Sequence, residues 1–212
     1  TSNGTWIGVS DPEGEGDDPM IEIPANGHII GYKIWKTSTQ GIHIICASRR
    51  NTVVGIRYLV NEITNRRDLT DLANIGMNNI TQVGGGFAIR SDRTPSKKEE
   101  FVFGNQLRMS IYFKKSFETS LAINENDINK GNLIESIRKQ MSAFALEFYK
   151  SSSNGGNQGG FAEGSFNEVV IIDLSDEINT TANIKKGELR ANFYFAAPTP
   201  AERILIGVGL IF

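Results

Sequence analysis

The sequence predicts an α+β fold: a mixed β-sheet with helices packed on one face, and closing antiparallel strands at the C-terminus. Three observations lead there. Two apolar stripes at helical spacing occupy the middle of the chain, after Asn105 and after Asn132. Three runs rich in β-branched and aromatic residues then follow one another, at 168–174, 188–196 and 203–212. At 212 residues, with 39% hydrophobic residues and 22 glycines, the chain can line one core of ordinary size or two small ones. Helices followed by consecutive strands, without an internal repeat, are the pattern of helices segregated to one face of a sheet.

Along the chain, the first 28 residues hold Asp11, Glu13, Glu15, Asp17, Asp18 and Glu22 and no Lys or Arg. In DPEGEGDDP, two prolines and two glycines prevent sustained helix or strand, so 1–22 is expected to be an acidic flexible lead-in and 23–212 the domain, ordered from about Ile21 onward. Asn26 can cap a short helix whose Ile29, Ile30, Ile34 and Trp35 follow helical spacing, with Gly41 past its end. IHIICA (42–47) reads as a buried strand, and VVGIRYLVNEIT (53–64) as strand turning into helix. Asp68 precedes a short helix ended by Gly76, the triple glycine 84–86 marks a turn, and FAIR (87–90) a short strand before a charged loop. In the first long helix Leu107, Ile111, Phe117 and Leu121 share about a third of the wheel with Lys114 and Glu118. In the second, Ile134, Ile137, Met141, Phe144 and Phe148 fall on one face. Ser151–Gly164 is low in complexity, and the closing strands are EVVIIDL, ELRANFYFA and RILIGVGLIF.

Composition excludes several chemistries. Charge is nearly balanced, 22 Lys and Arg against 24 Asp and Glu, so no broad cationic field draws nucleic acid. One cysteine and two histidines leave no disulfide framework or multi-cysteine zinc site. The longest apolar run, Ile204–Phe212, is far below the roughly 18–20 residues that span a bilayer, and the chain reads as soluble. It begins at Thr1 without a methionine, which suggests a processed product or fragment.

Each candidate site has a plainer reading beside it. Asp11, Glu13, Glu15, Gly16 and Glu22 match positions 1, 3, 5, 6 and 12 of an EF-hand loop. Prolines at positions 2 and 9, long glutamates at 3 and 5 and the lack of flanking helices favour a solvated acidic loop over a calcium site. The glycine clusters lack the Lys-Ser/Thr pair of a phosphate cradle. His43 and Cys46, three apart on a strand, point to opposite faces. Glu99/Glu100 and Asp176/Glu177 sit in polar loops with nothing to raise a carboxyl pKa. Phe193 and Phe195 alternate with Tyr194 as core packing does. No catalytic, cofactor or metal constellation emerges, and the expectation is a protein that is not an enzyme and carries no cofactor. The closing strand stands out: Ile204, Ile206, Val208, Leu210 and Phe212 on one face, Leu205 and Ile211 on the other, without charge after Arg203. A strand apolar on both faces belongs inside a sheet or is completed by another subunit, which makes it the candidate subunit interface.

Read in order, these segments resemble the C-terminal domain of the contractile tail sheath proteins of tailed bacteriophages and related injection machines. The likeness begins at IPANGHIIGYKIWKTSTQGIHIICA and runs through VVGIRYLVNEIT and Gly76-Met77-Asn78-Asn79-Ile80, similar to the family's Gly-Ile-Asn-x-Ile. It continues with Arg93-Thr94, LRMSIYFKKSFETSLA and GELRANFYFAAPTPAERILI, similar to the closing Gly-x-Leu and Pro-Ala-Glu-x-Ile strands. The chain departs from the family at Asn105-Gln106, where an Arg-Arg pair is usual, and at CASRR, where an alanine-proline piece is usual. At 212 residues it is also shorter than a typical phage sheath, with its N-terminal arm and outer domains, so a fragment is expected.

The resemblance implies a structural subunit polymerising around a tail tube and contracting to drive it through the host envelope for genome delivery. The implied partners are other copies of itself, the tail tube protein, and the baseplate and tail terminator proteins, with no direct nucleic-acid contact and no membrane insertion. The implied place is the virion tail, assembled in the host cytoplasm. Strands exchanged between neighbours would keep the lattice connected. The competing reading is a carbohydrate- or receptor-binding module of a phage or bacterial surface, which glycine-rich loops and terminal strands would also suit.

Overall fold

The computed structural model describes residues 6–11, 13–14, 16, 19–47, 52–63, 65–124, 131–150 and 160–199. They form two compact units, one from the described residues of 6–40 and 45–104 with Thr199, the other from those of 41–44 and 105–198. The class is α+β as predicted, with the described strands distributed over three small antiparallel sheets.

The first unit opens with a hairpin. β1 (Trp6–Ser10) pairs with β2 (Met20–Pro24), Ile7 facing Ile23 and Gly8 facing Glu22, and Asp11 N–H donates to Pro19 O at 2.8 Å where the connection closes. Order therefore begins by Trp6, and the expectation of order only from about Ile21 misses this hairpin. Ile7 is fully buried and Val9 packs on the same core, but a five-residue run broken by Gly8, with its partner beyond an acidic stretch, carries little periodic signal. Gly8 is needed there, because the Tyr58 ring lies where a Cβ would stand.

Next comes α1 (Asn26–Gln40), a helix as the spacing predicts, though turned otherwise. Tyr32 and Lys36 are buried, while Ile30, Ile34 and Trp35 are 57%, 64% and 51% exposed. The Lys36 ammonium lies 5.7 Å from the Tyr32 ring centroid. Lys33 Nζ is 2.9 Å from Asp92 Oδ1, and Asp92 Oδ2 accepts the Cys46 N–H at 2.9 Å.

IHIICA is not a strand. Its main-chain groups are taken by side chains: Cys46 N–H by Asp92, His43 O by Asn105 and Ile44 O by Arg108, so no ladder is required to satisfy them. VVGIRYLVNEIT is neither a continuous strand nor the start of a helix. Val53 makes one bridge to Phe87, Gly55 turns the chain at φ +82°, and only β3 (Tyr58–Leu59) adds to β1. The helix begins later, as α2 (Arg66–Asn74), where the Asn65 side chain caps the Arg67 N–H. A tight hairpin, β4 (Ile80–Val83) and β5 (Gly86–Ile89), turns at Gly84, φ +55°. Ile7, Tyr32, Val53, Ile56, Ile80 and Ile89 form this unit's core.

In the second unit α3 (Gly104–Leu121) buries Asn105, Met109, Phe113 and Phe117 at four-residue spacing, and Ile111 is exposed. The face predicted through Ile111, Lys114 and Glu118 is therefore displaced, since Lys114 and Glu118 keep their own side in water. α4 (Gly131–Lys150) packs the predicted stripe, with Ile137 and Met141 buried and Ile134, Phe144 and Phe148 against the same core. A single turn, α5 (Phe166–Val169), held by a Ser165/Glu168 capping box, runs into β6 (Val170–Asp173). α6 (Thr181–Lys185) is capped by Thr180, and β7 (Asn192–Phe195) pairs with β6, Val170 facing Phe195 and Ile172 facing Phe193. Phe113 is the centre of the core: six phenylalanine rings, from Phe117, Phe144, Phe148, Phe161, Phe193 and Phe195, have centroids 4.9–6.0 Å from its own.

Candidate assembly interface

The two short motifs of the first unit that carried the resemblance meet in space. Asn78 pairs with the main chain of Arg93 in both directions, accepting its N–H at 2.9 Å and donating to its carbonyl at 3.0 Å. The Arg93 guanidinium donates to Asn74 Oδ1 at 3.0 Å and lies 5.6 Å from the Phe103 ring centroid. Gly76, at φ +80°, brings its backbone against Thr94 and Pro95, with no room for a Cβ. This clasp is structural, and no local pattern in the sequence announces the pairing of two segments 15 residues apart.

The polar candidates are not gathered into a catalytic arrangement among the described residues. His43 stands edge-on to Phe148 with centroids 5.9 Å apart, and burial holds its imidazole below the ordinary histidine pKa. Cys46 is buried with its sulfur 4.0 Å from Thr37 Oγ1. Glu99, Glu100, Asp176 and Glu177 are exposed. No three metal-ligating side chains come together among the described residues, and Glu15, Asp17 and Asp18 of the acidic loop lie outside them.

The closing-strand residues Ile204, Ile206, Val208, Leu210 and Phe212 also lie outside the described residues. What the structure does present is a groove beside a strand edge in the second unit. β7 pairs with β6 on one edge, and among the described residues no strand lies on its other edge. That edge borders an open groove of about 640 Å³. All four residues Asn192–Phe195 line it, whichever face their side chains take, as residues along an open strand edge do. Phe113, Phe117 and Met141 give it an apolar floor, and Lys114 and Glu118 a charged rim. The Lys115 ammonium, 2.9 Å from Glu118, holds that carboxyl below its usual pKa, so the rim stays ionic. On the outer face of the same sheet Ile171 and Tyr194 stand opposite each other, 57% and 54% exposed. An edge left uncovered by the described residues is a property of the fold, and no run of residues encodes it.

No protein-family model and no curated protein matches the sequence. Solved structures do. A chain in the cryo-EM structure of the anti-feeding prophage baseplate superposes with a TM-score of 0.80 at 17% identity, over 97% of this chain and 53% of that one. A chain in the sheath complex of an extracellular contractile injection system, the PVC sheath in its contracted state, gives 0.79 at 17% identity over 92% and 53%. The contracted helical sheath of the anti-feeding prophage gives 0.76 at 17% identity over 96% and 54%. The chain thus spans about half the length of the solved chains it matches, and over nearly all of its own length it has the fold found in the sheath and baseplate assemblies of contractile injection systems.

Proposed function

We propose that the chain is the polymerising part of a contractile sheath subunit. The observation that carries this reading is the fold likeness to a contracted sheath over 96% of the chain. In this role the protein is structural and works as a lattice. Copies stack in helical rings around an inner tube in an extended state, and rearrangement to a shorter, wider lattice drives the tube through a target envelope. Its partners are further copies of itself, the tube protein, and the baseplate and terminator proteins at the two ends. In a phage the assembly would form in the host cytoplasm, become the virion tail and serve genome delivery. A related injection device would use the same lattice.

The joint between neighbours is the closing strand, with Ile204, Ile206, Val208, Leu210 and Phe212 on one face, added to an open strand edge of another subunit. The edge of β7 on which no described strand lies and its apolar groove support this: main-chain hydrogen bonds would supply affinity, and the phenylalanine floor would take one apolar face of the incoming strand. Val208 is the test position. Val208→Pro removes a ladder donor and clashes inside a paired strand, whereas Val208→Thr keeps the β-branched shape. The full-length threonine variant is expected to form hollow striated cylinders by electron microscopy, and the proline variant to sediment as a monomer. Long cylinders from the proline variant would show that this strand is not a lattice joint.

A further inference from the structure

Each outer edge of the hairpin β4–β5 is engaged, one of them by a side chain. Arg90 N–H donates to Asn79 O at 2.9 Å, which makes Asn79 and Arg90 a hydrogen-bonded pair. By alternation Thr81–Ala88 and Val83–Gly86 are hydrogen-bonded pairs too, and the main-chain groups of Ile80, Gln82 and Phe87 point outward. On β5 the outward Phe87 carbonyl accepts the Val53 N–H at 2.7 Å. On the outer edge of β4 no described strand pairs, and the Gln82 N–H donates to the Glu62 carboxylate at 3.0 Å. Gln82 and Glu62 are both exposed, beside an open groove of about 270 Å³ with Ile63 and Leu69 in its wall, so this edge is reachable from solvent.

Nothing in the hairpin's own sequence blunts that edge. From Leu72 to Ile89 the chain holds no charged residue and no proline, the residues that usually keep foreign strands off an edge. ITQV and FAI are uncharged and rich in strand-forming side chains, a composition from which strands of separate chains stack. Glu62, 20 residues before Gln82, brings the missing charge from another segment. A strand adding to β4 would have to break this hydrogen bond and displace or bury the carboxylate.

We infer that Glu62 is a specificity-determining residue: it closes the β4 edge to strands of a second copy of this chain. Strand addition is thereby kept away from this hairpin. The inference goes beyond the sheath reading and does not depend on it, because it concerns which edge refuses a strand.

The test uses the full chain and two readouts: hydrogen exchange at the Gln82 amide in dilute monomer, and the rate of thioflavin-positive association at high concentration. In Glu62→Ala, exchange and association are both expected to accelerate at least tenfold. Glu62→Gln keeps an acceptor and loses only the charge, so exchange should stay within about threefold of the parent while association accelerates at least threefold. Glu177→Ala removes an exposed carboxylate elsewhere and should match the parent in both. Adding Gln82→Pro to Glu62→Ala removes the outward N–H without costing a hairpin hydrogen bond, and should return association to within about threefold of the parent. Association of Glu62→Ala no faster than that of Glu177→Ala would overturn the guarding role. Fast association that Gln82→Pro leaves untouched would overturn it as well, since the β4 edge would then not be the joint. Unchanged exchange at Gln82 in Glu62→Ala would show that the carboxylate does not hold this amide. Should the alanine variant fail to fold, Glu62→Gln with and without Gln82→Pro is read for association in the same way. Absence of cylinders from the parent protein would sink the sheath reading alone and leave these comparisons standing.

Discussion

Phe113 joins two helices to a strand pair through a single ring, since its neighbours come from α3, α4, β7 and Phe161. Truncation to alanine leaves a cavity that rigid aromatic neighbours cannot close, so Phe113→Ala is expected to cost about 3–5 kcal/mol in urea unfolding. Phe144, on the predicted stripe of α4 yet only partly buried, is expected to cost less, at or below about 3 kcal/mol. Equal losses at both positions would mean that the core is centred elsewhere. His43 adds a pH dependence whose sign follows from its burial. Its folded pKa is lowered from 6.5, so above that value both folded and unfolded states are neutral and its contribution to stability is fully present. As pH falls below 6.5 the unfolded chain takes up the proton first, and stability is lost down to the folded pKa. The urea midpoint should therefore drop between pH 7.5 and 5, and His43→Phe, which cannot ionise, should flatten part of that slope.

Among the elements, the hairpin β1–β2 separates what its acidic connection contributes from what its strands do. Replacing residues 12–18 by a short turn is expected to change stability by no more than about 0.5 kcal/mol, because closing a loop depends only weakly on its length. Extending the deletion through Glu22 removes the pairing partners of Gly8, Val9 and Ser10 and uncovers the fully buried Ile7. That variant should lose cooperative thermal unfolding of the first unit. Elements with long periodic patterns were legible from the residues: the stripe of α4, the existence of α1 and α3, and the glycine turn of β4–β5. What was not legible depended on partners distant in the chain. IHIICA has the composition of a strand, but Asp92, Asn105 and Arg108 take its main-chain groups. Ile30, Ile34 and Trp35 have core composition but face outward, and Met109 and Phe113 displace the face predicted for α3. Of the candidate interface, the closing strand is an expectation from composition that lies outside the described residues, while the groove beside β7 exists only once α3 and β7 are assembled.

For the molecule as a whole, the likeness to sheath and baseplate chains rests on the order and spacing of elements more than on any single residue, and this is why the fold is recognisable at 17% identity. The second unit is interrupted in sequence: residues 41–44 belong to it, whereas 45–104 belong to the first. This arrangement has a consequence in time. On the ribosome, Ile42 and His43 emerge long before the groups they serve, His43 preceding its donor Asn105 by 62 residues and Asn105 preceding Pro198 by 93. The first unit can therefore begin to fold while four residues in its midst remain uncommitted. The second unit can close only when Pro198 arrives, and a gene cut between 104 and 105 would separate neither a complete first half nor a complete second one.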